Sequence, residues 1–227
     1  MEDYLHYLNL QWLLGLGSIM LIDLVLSGDN AVVIALASKN LPPRERKLAI
    51  RWGSAAAVGM RIILTFTAAA LLHIPYLRFA GGLALLWIAI KLMDKNSGTV
   101  ACHKASCLRE AIKMIVLADV IMSLDNVLAL AGVANTVPEG TYALIILGLL
   151  ASIPLVMFGA QLLTRLMDNF PVIIYAGAGI LGYAASEMII TDPATQHFAA
   201  QYQTLLQITL VMLVLICGYF QKHRIIR

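Results

Sequence analysis

Asp23-Leu24-Val25-Leu26-Ser27-Gly28-Asp29-Asn30 sits in the middle of the first long apolar stretch of the chain, and Asp119-Val120-Ile121-Met122-Ser123-Leu124-Asp125-Asn126 sits in the middle of the fourth. Asp23 and Asp119 are 96 positions apart. The same offset carries Ala80-Gly81 onto Ala176-Gly177, Trp87 onto Tyr183 and Lys91 onto Glu187, so a whole three-helix unit is duplicated rather than one motif recurring by chance. A unit with an odd number of spans is followed by a copy that runs the other way. The reading is therefore of two inverted repeats about a pseudo-two-fold axis in the membrane plane.

The surrounding composition agrees with a lipid environment. Of the 227 residues, 60% are hydrophobic and 13% charged, against about 45–50% and 25% in soluble domains. A bilayer core about 30 Å thick takes a helix of roughly 20 apolar residues. Seven stretches meet that need, near Leu10–Ala37, Leu48–Leu72, Tyr76–Met93, Ala111–Ala134, Tyr142–Leu166, Val172–Ile190 and Leu205–Phe220. The expected fold is an all-α polytopic membrane protein forming a single transmembrane domain over 1–227. Repeat one covers 10–93, a connection covers 94–110, repeat two covers 111–190, and an extra helix at 205–220 closes the chain. The connections are too short to hold a soluble domain.

Basic residues set the expected orientation. Lys39, Arg44, Arg46 and Lys47 follow the first span, Lys95, Lys104, Arg109 and Lys113 the third, Arg165 the fifth, and Lys222, Arg224 and Arg227 the last. The alternate connections are nearly bare, Arg78 excepted. By the positive-inside rule this places the N-terminus outside and the C-terminus in the cytoplasm of an inner-membrane protein. The start Met1-Glu2-Asp3 lacks the basic opening of a cleaved leader, so the first helix is expected to stay. The net charge of +3 gives no reason to expect a nucleic-acid partner, and three cysteines are too few for a disulfide framework.

On a helix, Asp23, Ser27 and Asn30 fall at i, i+4 and i+7, as do Asp119, Ser123 and Asn126, so each span presents a stripe of oxygen-bearing side chains. Asp29 and Asp125 lie off that stripe and would join the site only through local unwinding, which Gly28 eases in the first copy and Leu124 does not in the second. An ionised carboxylate at mid-membrane costs at least about 2.5–3.5 kcal/mol, so four of them require compensating charge. Arg61 and Lys91 supply part of it, and a bound cation or protons the remainder. Arg61 is read as the counter-charge of the site when no metal is bound. Carboxylate, hydroxyl and amide oxygens suit magnesium, calcium or manganese rather than zinc or copper. The candidate metal-binding residues are thus Asp23, Ser27, Asp29, Asn30, Asp119, Ser123, Asp125 and Asn126. The plainer alternative is that each Asp caps a broken helix or pairs with Arg61, with Ser and Asn bonding across helices.

The two motifs, Asp-x-x-x-Ser-Gly-Asp-Asn-Ala in the first helix and Ala-Asp-x-x-x-Ser-x-Asp-Asn in the fourth, resemble those of the TerC family of integral membrane proteins, and the resemblance covers nearly the whole chain. It implies a bacterial transporter related to manganese exporters, with Asp23, Asp29, Asn30, Asp119, Asp125 and Asn126 as the transport site. The direction of transport comes from this resemblance alone.

The expectation is a secondary transporter, not an enzyme, that exports a divalent cation, manganese, without a tightly bound cofactor. Its partners are the lipid bilayer, the metal ion and counter-transported protons, with a homo-oligomer left open. Two rivals use the same residues: a non-transporting membrane factor that aids insertion or metallation of other proteins, and a metal-free proton channel. Among weaker signals, Cys102, His103 and Cys107 fall short of a four-ligand zinc site. Glu187 reads as an entry residue or a partner of Arg78. Gly53, Gly59, Gly81, Gly82, Gly177, Gly179 and Gly182 read as close-packing positions, and Trp12 and Tyr142 as interface anchors.

Overall fold

In the computed structural model, residues 10–71, 74–93, 104–134 and 141–223 are described. All of the long elements among them are helices: α1 (Leu10–Leu26), α2 (Gly28–Ser38), α3 (Pro43–Leu71), α4 (Leu77–Met93), α5 (Lys104–Ala134), α6 (Thr141–Asn169), α7 (Val172–Thr191), the short α8 (Gln196–Ala199) with a 3-10 turn at Ala200–Tyr202, and α9 (Gln203–His223). In α3, α6, α7 and α9 the apolar run is long enough to cross a bilayer, and α1 with α2 makes a fifth such unit, bent by 50° at Ser27. α4, at 17 residues, and α5, at 31, are not among these; they hold the third and fourth apolar stretches of the sequence. Two helices reach further than their apolar runs: α3 begins at Pro43 and α5 at Lys104, so part of the stretch 94–110 is a helical extension rather than a connection.

The ends of the helices identify which of them share a face of the molecule. On one face, Lys39 Nζ donates to the Leu92 carbonyl at 2.6 Å, Arg46 pairs with Asp168 at 2.6 Å, and Lys91 pairs with Glu110 at 2.6 Å. Those contacts gather the end of the first span, the start of the second, the end of the third, the start of the fourth and the end of the fifth. On the other face, Trp12 shares a cluster with Leu144 and Ile145, and the Phe79 N–H donates to Asp192 Oδ2 at 3.1 Å. The first span therefore ends where the fourth begins, and the two repeats run in opposite directions.

Helix packing follows the same symmetry. The second span, α3, lies along α5 of the other repeat, just as α6, the fifth span, lies along α1 and α2; α4 packs on its counterpart α7, and α9 rests outside against α7 and α4. At residue level Ile115 lies over Gly53, where an added Cβ would stand 2.7 Å from its Cδ1, and Ile19 lies over Gly148, at 2.5 Å from its Cγ2. Ile19 and Ile115 are offset by 96 positions, so one close approach is built twice. Gly81, Gly82, Gly177 and Gly182 also sit against neighbouring helices, whereas a Cβ on Gly59 would meet nothing within 4 Å and one on Gly179 only an ordinary contact with Val211. Trp12 is buried rather than placed as an interface anchor, because α6 covers it. The side chain of Tyr142 lies outside the described residues, as do Cys102 and His103.

Candidate functional site

The first motif breaks its helix. Ser27, at φ −99° and ψ 6°, separates α1 from α2 while its N–H still donates to the Asp23 carbonyl at 2.7 Å. Just beyond, the Asn30 N–H donates to the Asp29 carboxylate at 2.8 Å, and the Leu26 carbonyl accepts Nδ2 of Asn126 from the fourth span at 3.3 Å. Gly28 is exposed and has open space where a Cβ would stand, so its contribution is a low helix propensity and not close packing. The second motif stays within α5, which runs unbroken past Ser123 and Leu124. The duplicated sequences thus adopt two different backbones.

Arg61, from the second span, lies between the two motifs. Its Nη1 donates to Asp23 Oδ1 at 2.5 Å and to Ser27 Oγ at 2.6 Å, its Nε donates to Ser123 Oγ at 3.0 Å, and its Nη2 bonds Asp119 Oδ1. Each serine in turn donates to the aspartate of its own stripe, Ser27 to Asp23 at 3.2 Å and Ser123 to Asp119 at 3.3 Å. None of these five residues is more than 6% exposed. The planar guanidinium fork suits this arrangement, since it can address two carboxylates and two hydroxyls at once.

The network leaves some polar atoms over. Asp23 Oδ2 and both amide atoms of Asn30 are buried without a hydrogen-bond partner among the described residues, and a buried polar atom left unpaired costs about 1–3 kcal/mol. Asp23 Oδ2 and Asn30 Oδ1 are hard oxygen donors that a cation could take up, whereas Asn30 Nδ2 calls for an acceptor. Among the described residues, no group of three or more His, Cys, Asp or Glu is placed to hold a metal ion.

Asp29 and Asn126 are elsewhere. With Leu26, Arg78, Glu187 and Thr191 they line a cleft of about 510 Å³ between the broken helix, α5 and α7. Arg78 and Glu187 share that cleft, and Arg78 Nη1 donates to the Thr191 carbonyl at 3.4 Å. Of the eight residues read from sequence, Asp23, Ser27, Asp119 and Ser123 therefore meet around Arg61, Asn30 is buried with its amide unpartnered, and Asp29 and Asn126 face the cleft. The backbone of Asp125 lies in α5, and its side chain is outside the described residues. What sequence reasoning missed is the Leu26 carbonyl. It becomes available only because the helix breaks, and a proposed break at Ser27 would have exposed the carbonyls of the preceding turn.

The family model for the integral membrane protein TerC family matches residues 8–225. The chain belongs to the TerC family. Among TerC-like relatives it is 42% identical to the uncharacterised membrane protein YjbE of Bacillus subtilis, over 93% of this chain and 97% of that one. It is 28% identical to the inner membrane protein YgdQ of Escherichia coli, over 70% and 72% of the two chains, and 25% identical to YkoY of Bacillus subtilis, over 77% and 59%. No solved structure matches this TerC-family chain.

Proposed function

We propose that this TerC-family protein is a secondary transporter that exports a divalent cation, manganese, across the bacterial inner membrane in exchange for protons. The observation that carries this reading is the meeting of Asp23, Ser27, Asp119 and Ser123 from the two copies of the motif at one buried point, where Asp23 Oδ2 is left unpartnered. Ionisable groups at such depth are costly, and structural packing alone does not call for two carboxylates placed symmetrically. Oxygen donors without a nearby thiolate or imidazole cluster favour a hard cation. Inverted repeats supply the means of exposing one central site to either side in turn. The cleft that holds Asp29, Asn126 and Glu187 lies at the Arg78–Thr191 face, opposite the basic helix ends, and in this reading serves as the exit for the exported cation. Protons compete with metal for carboxylate oxygens, so metal binding weakens on acidification and releases protons.

The test is transport in proteoliposomes carrying a manganese-sensitive dye and, separately, a pH-sensitive dye. Manganese entry with opposing proton movement is the expected result. Metal flux with no proton movement at several pH values would remove the exchange and leave a sodium-coupled or uncoupled route; no metal flux at all would remove the transporter reading.

A further inference from the structure

We propose that Arg61 is the resident cation of this site: its guanidinium and the transported divalent cation occupy the centre by turns, and the arginine carries the empty protein through its return step. The proposal rests on the transporter reading above. Three observations lead to it.

The first is position. Arg61 takes up Asp23 Oδ1 and Asp119 Oδ1 together with Ser27 and Ser123, which are the oxygens a metal would need. A guanidinium is always protonated in a protein, so it cannot leave the centre by losing its charge. A divalent ion and a guanidinium cannot share two carboxylate oxygens in a water-poor site, since the repulsion between them is weakly screened there. Arrival of one displaces the other.

The second is number. The positions 95 and 96 residues beyond Arg61, the first in register with the Gly53 and Gly148 pair, are Val156 and Met157, both in or against an apolar cluster. The two repeats bring two aspartates and two serines but one arginine. With arginine in place the pair of carboxylates carries one uncompensated negative charge, which a single proton can neutralise; with a divalent cation in place and the arginine displaced, the charge is balanced. Without either, the two carboxylates would have to cross bare, which the membrane interior strongly disfavours, or take up two protons where the arginine makes one sufficient.

The third is attachment. Arg61 belongs to α3, whereas the carboxylates it bridges belong to α1 and α5. The bond network therefore ties both repeats together in the substrate-free form, and releasing the guanidinium frees one motif from the other. Thr65 Oγ1 donates to the Arg61 carbonyl at 2.8 Å, so in this proposal the exchange moves the side chain and leaves the helix backbone in place.

The experiment compares wild type, Arg61→Met and Arg61→Lys in proteoliposomes, measuring net manganese uptake and tracer exchange against internal manganese. Arg61→Met is expected to bind manganese roughly tenfold tighter or more, because its internal competitor is gone, and to lose net uptake by a similar factor while keeping exchange. Arg61→Lys keeps the charge and retains net uptake at a reduced rate. Equal loss of net uptake and exchange in a variant that still binds manganese, or no gain in affinity, would overturn the proposal.

A measurement on the intact wild type covers the case in which Arg61→Met does not fold. Diamagnetic magnesium, at a concentration shown to displace manganese, should shift the Arg61 Nε–H resonance and hasten its exchange with water, the resonance being assigned by its absence in Arg61→Lys. A wild type that transports manganese but whose Arg61 resonance stays fixed overturns this proposal alone, whereas a wild type that moves no divalent cation overturns the transporter reading and this proposal with it.

Discussion

Asn126 of the fourth span donates its side-chain amide to the main-chain carbonyl of Leu26 in the first, at 3.3 Å. The carbonyl is the last of α1 before the bend, and the amide that takes it up comes from the other copy of the same motif. One repeat thus secures the broken end of its partner, which a motif acting only as a ligand stripe would not do. Replacing Asn126 by Leu should therefore destabilise the fold by about 0.6–1.5 kcal/mol, the range of such bonds in membranes. Hydrogen exchange at the Asn30 and Ala31 amides, next to the break, should quicken while α6 and α7 are unchanged. Equal exchange in variant and wild type would show that the bond does not hold the break.

Removing a single carboxylate should be mild for stability and severe for binding. In Asp23→Asn the guanidinium keeps Asp119, and the centre goes from one uncompensated charge to none, so the melting temperature without metal should not fall. Cation affinity should drop tenfold or more, about 1.4 kcal/mol, as a charged donor is lost. Isothermal titration with manganese and a thermal melt of the same sample read both quantities. A melt lowered strongly with affinity retained would favour a purely structural pair.

The opposite holds for the arginine. Deleting the positive partner of a buried pair leaves uncompensated charge and costs about 3–5 kcal/mol. Arg61→Met should be the least stable of the site variants without metal, and the one whose melting temperature rises most when manganese is added. An Asp23→Asn, Arg61→Met double variant should recover part of the loss.

The twin glycines give a packing prediction. Gly53→Ala and Gly148→Ala each push a Cβ into an isoleucine at under 3 Å, so both should lose about 1–3 kcal/mol by overpacking. Ile19→Ala should relieve Gly148→Ala but not Gly53→Ala. Gly59→Ala, which meets nothing within 4 Å, should be neutral or stabilise its helix by up to about 1 kcal/mol. Denaturation of the five variants side by side would check the pattern.

Asp192 is a further structural point. It is fully buried at the end of α7, and its carboxylate accepts the Phe79 N–H at 3.1 Å and the Ala194 N–H at 2.8 Å. Asp192→Ala orphans both donors and should cost about 1–3 kcal/mol each, with transport by the folded fraction unaffected. Loss of specific transport in protein that remains folded would show that Asp192 acts in the transport site.

Much of the architecture is legible in the sequence because lipid enforces strong rules. Apolar length marks the spans, and the offset between Asp23 and Asp119, with three spans to a unit, is enough to imply the inverted repeat. Arg61 is readable as a counter-charge because no other Arg lies so deep in an apolar stretch. The parting of the motif into two groups is not readable. Spacing on an ideal helix puts Asn126 on the same stripe as Asp119, yet its amide turns to a carbonyl freed by a bend in a different helix. Lys39 and Asp192 look like ordinary loop residues in sequence. Their burial depends on the ends of α4, which a one-dimensional pattern does not contain.

The single arginine also bears on how such a chain could have come about. An assembly of identical subunits around a two-fold axis supplies every side chain in pairs, so a dimer of one repeat would bring two guanidinium groups to a centre that holds one. Only after both halves are joined in a single polypeptide can one keep its arginine while the other, with Val156 and Met157 there, carries none. The odd charge is a property of the fused chain, and splitting the gene into its two halves would yield homodimers of either half with a centre of the wrong charge.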